Sequence, residues 1–323
     1  MLPKNAAAAE KPVSKFESIA TCVAYGAVSV SITLFNKAVF SVYKFHFPNA
    51  VLLLQIAISL LFLQLLRHNP AVKREAYTAE QRRQAVPMVL FWITYVVSGV
   101  YALQHLNVPM FNVIRRTSVL PVLVGEYFLY QRVPSAASLG SIAFMVAGAW
   151  VAGIGDLDYN PLGYFWACVC VACTCCYLLL LKRVKEGTGL SDATLLYLNN
   201  VFSFPLMLAW TCGGTNECLT VWEFERIRDP VFLGFLVLSA SQAFLLNLAI
   251  YRCTSVNSAL ATTVVGNVKD VLLTSVGLFL FGDVTFNRTN LIGLGLGLIG
   301  GIWYSIINLL KKRPKPTGSK AEN

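Results

Sequence analysis

Residues 255–283 read SVNSALATTVVGNVKDVLLTSVGLFLFGD, and this stretch decides the fold. It is long enough to cross a bilayer, whose hydrocarbon core of ~30 Å takes about 20 apolar residues of helix. Yet Asn267, Lys269 and Asp270 stand near its middle. A charge at membrane depth costs from a few kcal/mol to over ~10, so a Lys–Asp neighbour pair there faces a bundle interior or a watery cavity. From these residues alone two readings are open. One is an ion pair that only fixes packing; the other is a polar substrate site at mid-bilayer.

The surrounding chain has the same solvent preference. Its 323 residues are 56% hydrophobic and only 13% charged, with a mean hydropathy of +0.61, whereas soluble domains carry about a quarter charged residues. Apolar runs of helix-spanning length recur from end to end, and the alternation of an outer-membrane barrel is missing. An all-α membrane protein is predicted. Ten transmembrane helices are expected, at 17–40, 48–67, 86–104, 109–131, 135–155, 161–181, 193–212, 230–251, 256–281 and 289–310. Met1 to Lys15 is polar and no cleavage site follows the first apolar run, so that run is not a signal peptide. The expected organisation is a disordered N-tail over 1–16, a five-helix repeat over 17–155, a second over 156–310 and a disordered basic C-tail over 311–323.

Basic residues orient the chain. An even number of spans puts both termini on one side, which also carries the Lys and Arg of 67–83, Lys182 to Lys185, Arg132, Arg252 and the C-tail. The opposite side has Lys37, Lys44, Arg226, Arg228 and Arg288. The positive-inside rule therefore places both termini in the cytosol. The net charge of +10 is mostly this orientation signal. No basic folded face lies outside the membrane, so no nucleic-acid partner is expected; the lipid bilayer is one.

The fourth and ninth spans are similar. NVPMFNVIRRTSVLPVLVGEYFLYQRV and NSALATTVVGNVKDVLLTSVGLFLFGDV both end in an aromatic segment and precede a Gly/Ala-rich helix. Five spans per half is an odd number, so the halves have opposite orientation. Inverted repeats with a midplane site between them characterise secondary transporters. In the fourth span Arg115 and Arg116 lie too deep to snorkel. Neighbours on a helix are ~100° apart, so one points into a cavity and the other pairs with a carboxylate such as Glu126 or with carbonyls. With Lys269 against Asp270, the cavity is net positive. It suits an anion, phosphate in particular, which Arg grips bidentately and Lys meets as a point charge.

Other polar residues have two readings each. Tyr197, Asn199 and Asn200 in LYLNNVFSFP either meet a base or sugar edge or glue helices together. Asn36 and Lys37 close the first span, where Lys can simply snorkel. CVCVACTCC, carrying Cys168, Cys170, Cys173, Cys175 and Cys176, winds around an apolar helix with no His nearby and reads as packing, not metal. His46, His68 and His105 are the only histidines, and no nucleophile–base motif accompanies them. No enzyme and no cofactor is expected. A membrane-embedded glycosylation-enzyme subunit would rest on Asp156, Asp158 and Glu223 alone. Gly293, Gly297 and Gly301 make a smooth face, either internal packing or a homodimer seam. Asn287-Arg288-Thr289 is a sequon too near the spans to be used.

NVPMFNVIRRTSV, SVNSALATTVVGNVKDVLLT, the early Asn-Lys pair and the ten-span layout resemble the nucleotide-sugar transporters of the drug/metabolite transporter superfamily, over about Ile19 to Lys311. The branch most resembled carries UDP-N-acetylglucosamine, UDP-N-acetylgalactosamine or UDP-glucuronate. The resemblance implies a Golgi or endoplasmic-reticulum antiporter that imports the nucleotide sugar and returns the nucleoside monophosphate, here UMP. It implies that Arg115 and Lys269 contact phosphate while the seventh span reaches base or sugar. The substrate-binding candidates are Asn36, Lys37, Phe111, Arg115, Arg116, Tyr197, Asn199, Asn200, Asn257, Ser258, Thr262, Gly266, Asn267, Lys269 and Asp270. Tyr197 to Asn200 is similar instead to a signature of GDP-mannose carriers. Those carriers place a Lys four residues after the ninth-span Gly, whereas Lys269 follows Gly266 by three, a rotation of ~100°. A GDP-mannose/GMP exchanger is thus the alternative, with a triose-phosphate-type carrier on the same helices as a further one.

Overall fold

The computed structural model describes residues 14–69, 74–106, 108–131, 133–153, 160–281 and 288–310. The tails, Asp156, Asp158 and Asn287 lie outside the described residues. Among the described residues there is no strand; the chain is an all-α membrane protein. We number its helices α1 (Lys15–Lys37), α2 (Pro48–Leu65), α3 (Ala79–His105), α4 (Val108–Arg116), α5 (Val119–Tyr130), α6 (Ala136–Gly153), α7 (Pro161–Thr188), α8 (Asp192–Ala209), α9 (Glu217–Thr220), α10 (Pro230–Val256), α11 (Ala259–Phe281) and α12 (Arg288–Leu310). By length and composition α1, α2, α3, α7, α8 and α10 can each cross a membrane.

Local chemistry sets the ends of these helices. Thr78 caps α3 in a capping box with Gln81, and Ser191 caps α8 by accepting from the Thr194 amide. Asn160 and Asp229 cap α7 and α10, each followed by a proline whose missing N–H costs nothing at a first helical position. Gly189 ends α7 at φ 68°, a left-handed conformation that glycine takes without strain.

The fourth span, expected as one helix over 109–131, is broken at Thr117–Ser118. Pro121 is the cause. It has no N–H to give the Thr117 carbonyl, which accepts instead from the Leu120 amide at 3.0 Å. Leu120 is thereby taken from the Arg116 carbonyl, which is freed for a partner outside its own helix.

The helices pair two by two. α1 packs on α10 and α11, as α7 packs on α3 and on α4–α5; α2 packs on α8 and α10, as α8 packs on α2 and α3; α6 packs on α12. α6 and α12 meet backbone to backbone. A Cβ on Gly148 would lie 2.6 Å from both the Gly293 carbonyl oxygen and the Gly297 nitrogen, and one on Gly300 would lie 2.6 Å from the Ser141 carbonyl oxygen. Gly301 faces Val268 of α11. The glycine face is therefore internal packing, of the small-residue kind that lets membrane helices meet backbone to backbone. Leu63, Met88, Val122, Leu181, Leu195, Met207 and Tyr251 are fully buried among α2, α3, α5, α7, α8 and α10. Outside, Val23, Leu61, Phe128, Trp150, Phe165 and Ile299 are exposed, an apolar coat that lipid covers.

Candidate functional site

A cavity of about 70 Å³ lies where α1, α3, the α4–α5 break, α7, α10 and α11 converge. From α11 it takes Thr262, Thr263, Gly266, Asn267 and Asp270; from the break, Arg115 and Ser118; from the facing helices, Tyr25, Tyr95, Thr174 and Tyr177.

The break organises the cationic wall. Arg115 keeps an exposed side chain on the cavity, while Arg116 is 4% exposed and turned away. The carbonyl that Pro121 freed on Arg116 accepts from Asn267 Nδ2 at 3.0 Å, which ties the end of α4 to the middle of α11. Lys269 Nζ and Asp270 Oδ1 are 2.6 Å apart, with side chains 10% and 12% exposed. The Asp270 carboxylate also acts electrostatically on Arg115 and Arg116. Among the described residues three cations thus act on the Asp270 carboxylate, Arg116 and Lys269 largely out of water, and an incoming anion is what would balance them. Glu126 does not pair with Arg116. Its Oε1 accepts from the Leu260 amide at 3.0 Å, where a carboxylate satisfies the first amides of α11 and meets the positive end of its dipole.

The tyrosines form the opposite wall. Tyr95 and Tyr177 have ring centroids 5.7 Å apart, and Tyr177 meets Tyr251 edge-on at 6.4 Å. Gly266 lets the Tyr25 hydroxyl close on α11, since a Cβ there would lie 3.1 Å from it. Sequence reasoning had not singled out Tyr25, Tyr95, Thr174, Tyr177, Ser118 or Thr263. The available signal was a polar group at mid-span in each facing helix.

The cavity therefore unites Arg115, Thr262, Gly266, Asn267 and Asp270, with Lys269 paired at its edge and Arg116 behind it. The remaining candidates lie elsewhere. Asn36 Oδ1 accepts from Ser239 Oγ at 2.5 Å, between α1 and α10. The Lys37 side chain is outside the described residues. Phe111 is buried with Ala102, Leu106 and Cys170. Asn200 Nδ2 donates to Ser59 Oγ of α2 at 2.7 Å, and Asn199 is buried beside it on α8 with its Oδ1 unpartnered. Tyr197 lies under the Arg74 guanidinium, 4.0 Å from ring centroid to its carbon. Ser258 caps α11 through the Ala261 amide at 3.0 Å.

Asn257 belongs to a polar network that closes one end of the bundle. It bonds Ser18 and Thr21 of α1, and its carbonyl accepts from Lys182 Nζ of α7 at 3.0 Å. Beside it, Asp192 Oδ1 at the start of α8 accepts from Lys185 Nζ and from Ser255 Oγ, each at 2.6 Å, and Arg252 bridges Asp192 and Glu17. At the opposite end Cys212 and Cys218 form a disulfide just after α8. Glu217, between them, accepts from Asn49 Nδ2 and from the Ala50 amide at the start of α2.

Known proteins resemble this chain in fold or in sequence. A crystal structure superposes with a TM-score of 0.63 over 91% of this chain and 98% of its own, at 13% identity, a likeness of fold alone. The UDP-N-acetylglucosamine transporter of Arabidopsis thaliana is 30% identical over 89% of this chain and 87% of its own length. The UDP-galactose/UDP-glucose transporter 7 of the same plant is 30% identical over 93% and 92%. The triose-phosphate transporter family model matches residues 17–305. The chain belongs to that family of membrane transporters, the triose-phosphate transporter family.

Proposed function

We propose that this chain is a nucleotide-sugar antiporter that carries a cytosolic UDP-sugar across a Golgi membrane in exchange for lumenal UMP. The UDP-sugars favoured are UDP-N-acetylglucosamine, UDP-N-acetylgalactosamine and UDP-glucuronate. The carrying observation is Arg115 on the cavity beside the Lys269–Asp270 pair, with Arg116 buried behind it and Asp270 the carboxylate lining the cavity among the described residues. Substrate and product both bring phosphate, so either neutralises the wall, whereas crossing with the wall uncompensated is costly. Tyr95 and Tyr177 offer aromatic faces to a base, and Thr262, Thr263 and Asn267 offer hydrogen bonds to sugar hydroxyls. Two relatives named as UDP-sugar transporters support the nucleotide. Asn200, half of the pair similar to a GDP-mannose signature, is spent on Ser59.

Further observations support ten spans in two inverted five-helix repeats. The packing of α1 on α10 and α11, of α2 on α8 and α10, and of α6 on α12 maps onto itself or onto another observed contact when α1, α2, α3, α4–α5 and α6 are exchanged for α7, α8, α10, α11 and α12. The disulfide end opposes the end rich in Lys and Arg, and disulfides persist in oxidising lumenal compartments. Both signals support a cytosolic placement of the termini. The cavity of about 70 Å³ holds no nucleotide, for a water's share of liquid is already ≈ 30 Å³. The site must widen to load, and the Asp192–Asn257 network must part for cytosolic entry, as in alternating access.

The test is uptake of labelled UDP-sugars and GDP-mannose into proteoliposomes loaded with UMP, GMP or nothing. UDP-sugar uptake that needs internal UMP and is lost in Lys269→Ala is expected. Uptake of GDP-mannose against GMP alone would overturn the UDP reading, and equal flux into empty vesicles would overturn exchange.

A further inference from the structure

A second polar pocket, of about 410 Å³, opens at the same end of the bundle as the Asp192 network, where α2 closes and α8 begins. It lies apart from the central cavity and shares no lining residue with it. Its charged walls are Arg67 and His68 after α2 and Arg74 and Glu75 before α3; Tyr77 and Tyr197 supply its aromatic sides.

The acid and bases of this pocket are not equally free. Glu75 Oε2 accepts from the Ser191 amide at 3.0 Å, so the carboxylate is held at the start of α8, and the Glu75 amide bonds Thr194. The Arg74 guanidinium lies over the Tyr197 ring, 4.0 Å from its centroid, with Nη2 donating to Gln64 Oε1 at 2.7 Å. Its Nε is buried and has no hydrogen-bond partner. Such a group is costly to leave unmet. Arg67 is exposed, and its Nε donates to the neighbouring His68 ring at 2.9 Å. The pocket thus presents two guanidiniums to whatever enters, one of them placed by the Tyr197 ring and Gln64. Guanidinium donors match the oxygens of a phosphate.

We propose that this pocket binds a phosphate-bearing anion, with Arg67 and Arg74 on the phosphate oxygens and Tyr77 and Tyr197 flanking them. Two sources share that chemistry: the headgroup of an anionic phospholipid, which basic pockets between cytosolic helix ends recruit, and free phosphate from the cytosol. Occupancy would bear on the transporter through α8. Tyr197 is on the same helix as Asn200, whose bond to Ser59 joins α8 to α2.

The experiment uses purified full-length protein. It is titrated with inorganic phosphate in phosphatidylcholine nanodiscs, and separately, in detergent, with phosphatidylinositol 4-phosphate, with bound lipid counted by native mass spectrometry. Arg67→Ala changes an exposed side chain and keeps the fold; Arg74→Ala removes the one over Tyr197. Each is expected to weaken binding about tenfold or more, the loss of a charge-assisted hydrogen bond. Binding of the lipid but not of inorganic phosphate identifies a headgroup site, and binding of inorganic phosphate identifies a free-phosphate site; both sustain the proposal. Absence of binding to either probe, or unchanged binding in both variants, overturns it. Each titration is repeated in a Lys269→Ala background, which weakens phosphate at the central cavity; binding that persists there and falls with Arg67→Ala or Arg74→Ala belongs to this pocket, so failure here is distinguishable from failure of the exchange reading.

Discussion

The Lys269–Asp270 pair can be dissected with a double-mutant cycle. At 2.6 Å the gross attraction between the two charges is about 6 kcal/mol at an effective dielectric constant of ~20. Desolvation offsets most of it. Removing one partner leaves an uncompensated charge at membrane depth and is expected to cost about 3–5 kcal/mol, whereas removing both costs much less. The cycle of Lys269→Gln, Asp270→Asn and the double variant should therefore be non-additive by about 2 kcal/mol or more, read by denaturant unfolding in detergent. Ligand affinity separates the singles by sign. Lys269→Gln removes one of three cations and should weaken UMP binding about tenfold. Asp270→Asn removes the carboxylate that faces those cations and should leave UMP bound as tightly or tighter, with slower exchange. Isothermal titration of the folded variants checks both. Equal weakening by the two single variants, or additive stabilities, would refute a site in which Asp270 balances the cationic wall until substrate arrives.

Three further outcomes follow from the geometry. Gly148→Ala places a methyl 2.6 Å from two backbone atoms of α12, and no flexible side chain can yield, so about 1–3 kcal/mol of stability should be lost; Gly295→Ala, which meets nothing within 4 Å, is the control, and equal stabilities would contradict the packing described. Cys22 of α1 and Cys253 of α10 have sulfurs 3.7 Å apart; an oxidant should join them and halt uptake, reductant should restore it, and undiminished uptake by fully cross-linked protein would show that this end need not part. Cys218→Ser opens the short loop that holds Glu217 against α2 and should cost about 2 kcal/mol by loop-closure entropy, measured as a lowered denaturant midpoint that dithiothreitol produces in wild type but not in the variant.

Much of this was legible in the chain. Apolar length announced the membrane, and Lys269–Asp270 with the two arginines announced the polar centre, because an ionised group in hydrocarbon has few explanations. The split between Arg115 and Arg116 followed from helical geometry alone. Other features were written less plainly. Pro121 signalled the break, but membrane helices often tolerate proline, and only the transfer of the Arg116 carbonyl to Asn267 shows that this helix did not. Glu126 looked like a partner for arginine because charge suggests charge; the amides at the start of α11 are an equally good partner and cannot be located without the fold. Asn199 and Asn200 had the composition of a recognition motif, and composition does not say which way a helix is rotated. Tyr25, Tyr95 and Tyr177 come from three helices, and nothing local links them.

The backbone contact of α6 with α12 gives the molecule a fixed coordinate frame. Two helices whose glycines touch at Gly148, Gly293 and Gly297 cannot slide past one another without collision, so the pair behaves as a rigid post. Spectroscopic labels placed one on each of them should report a single narrow distance whatever ligand is present. Distances measured from that post to α1 or α7 then read helix displacement directly, free of tumbling or swelling of the whole bundle.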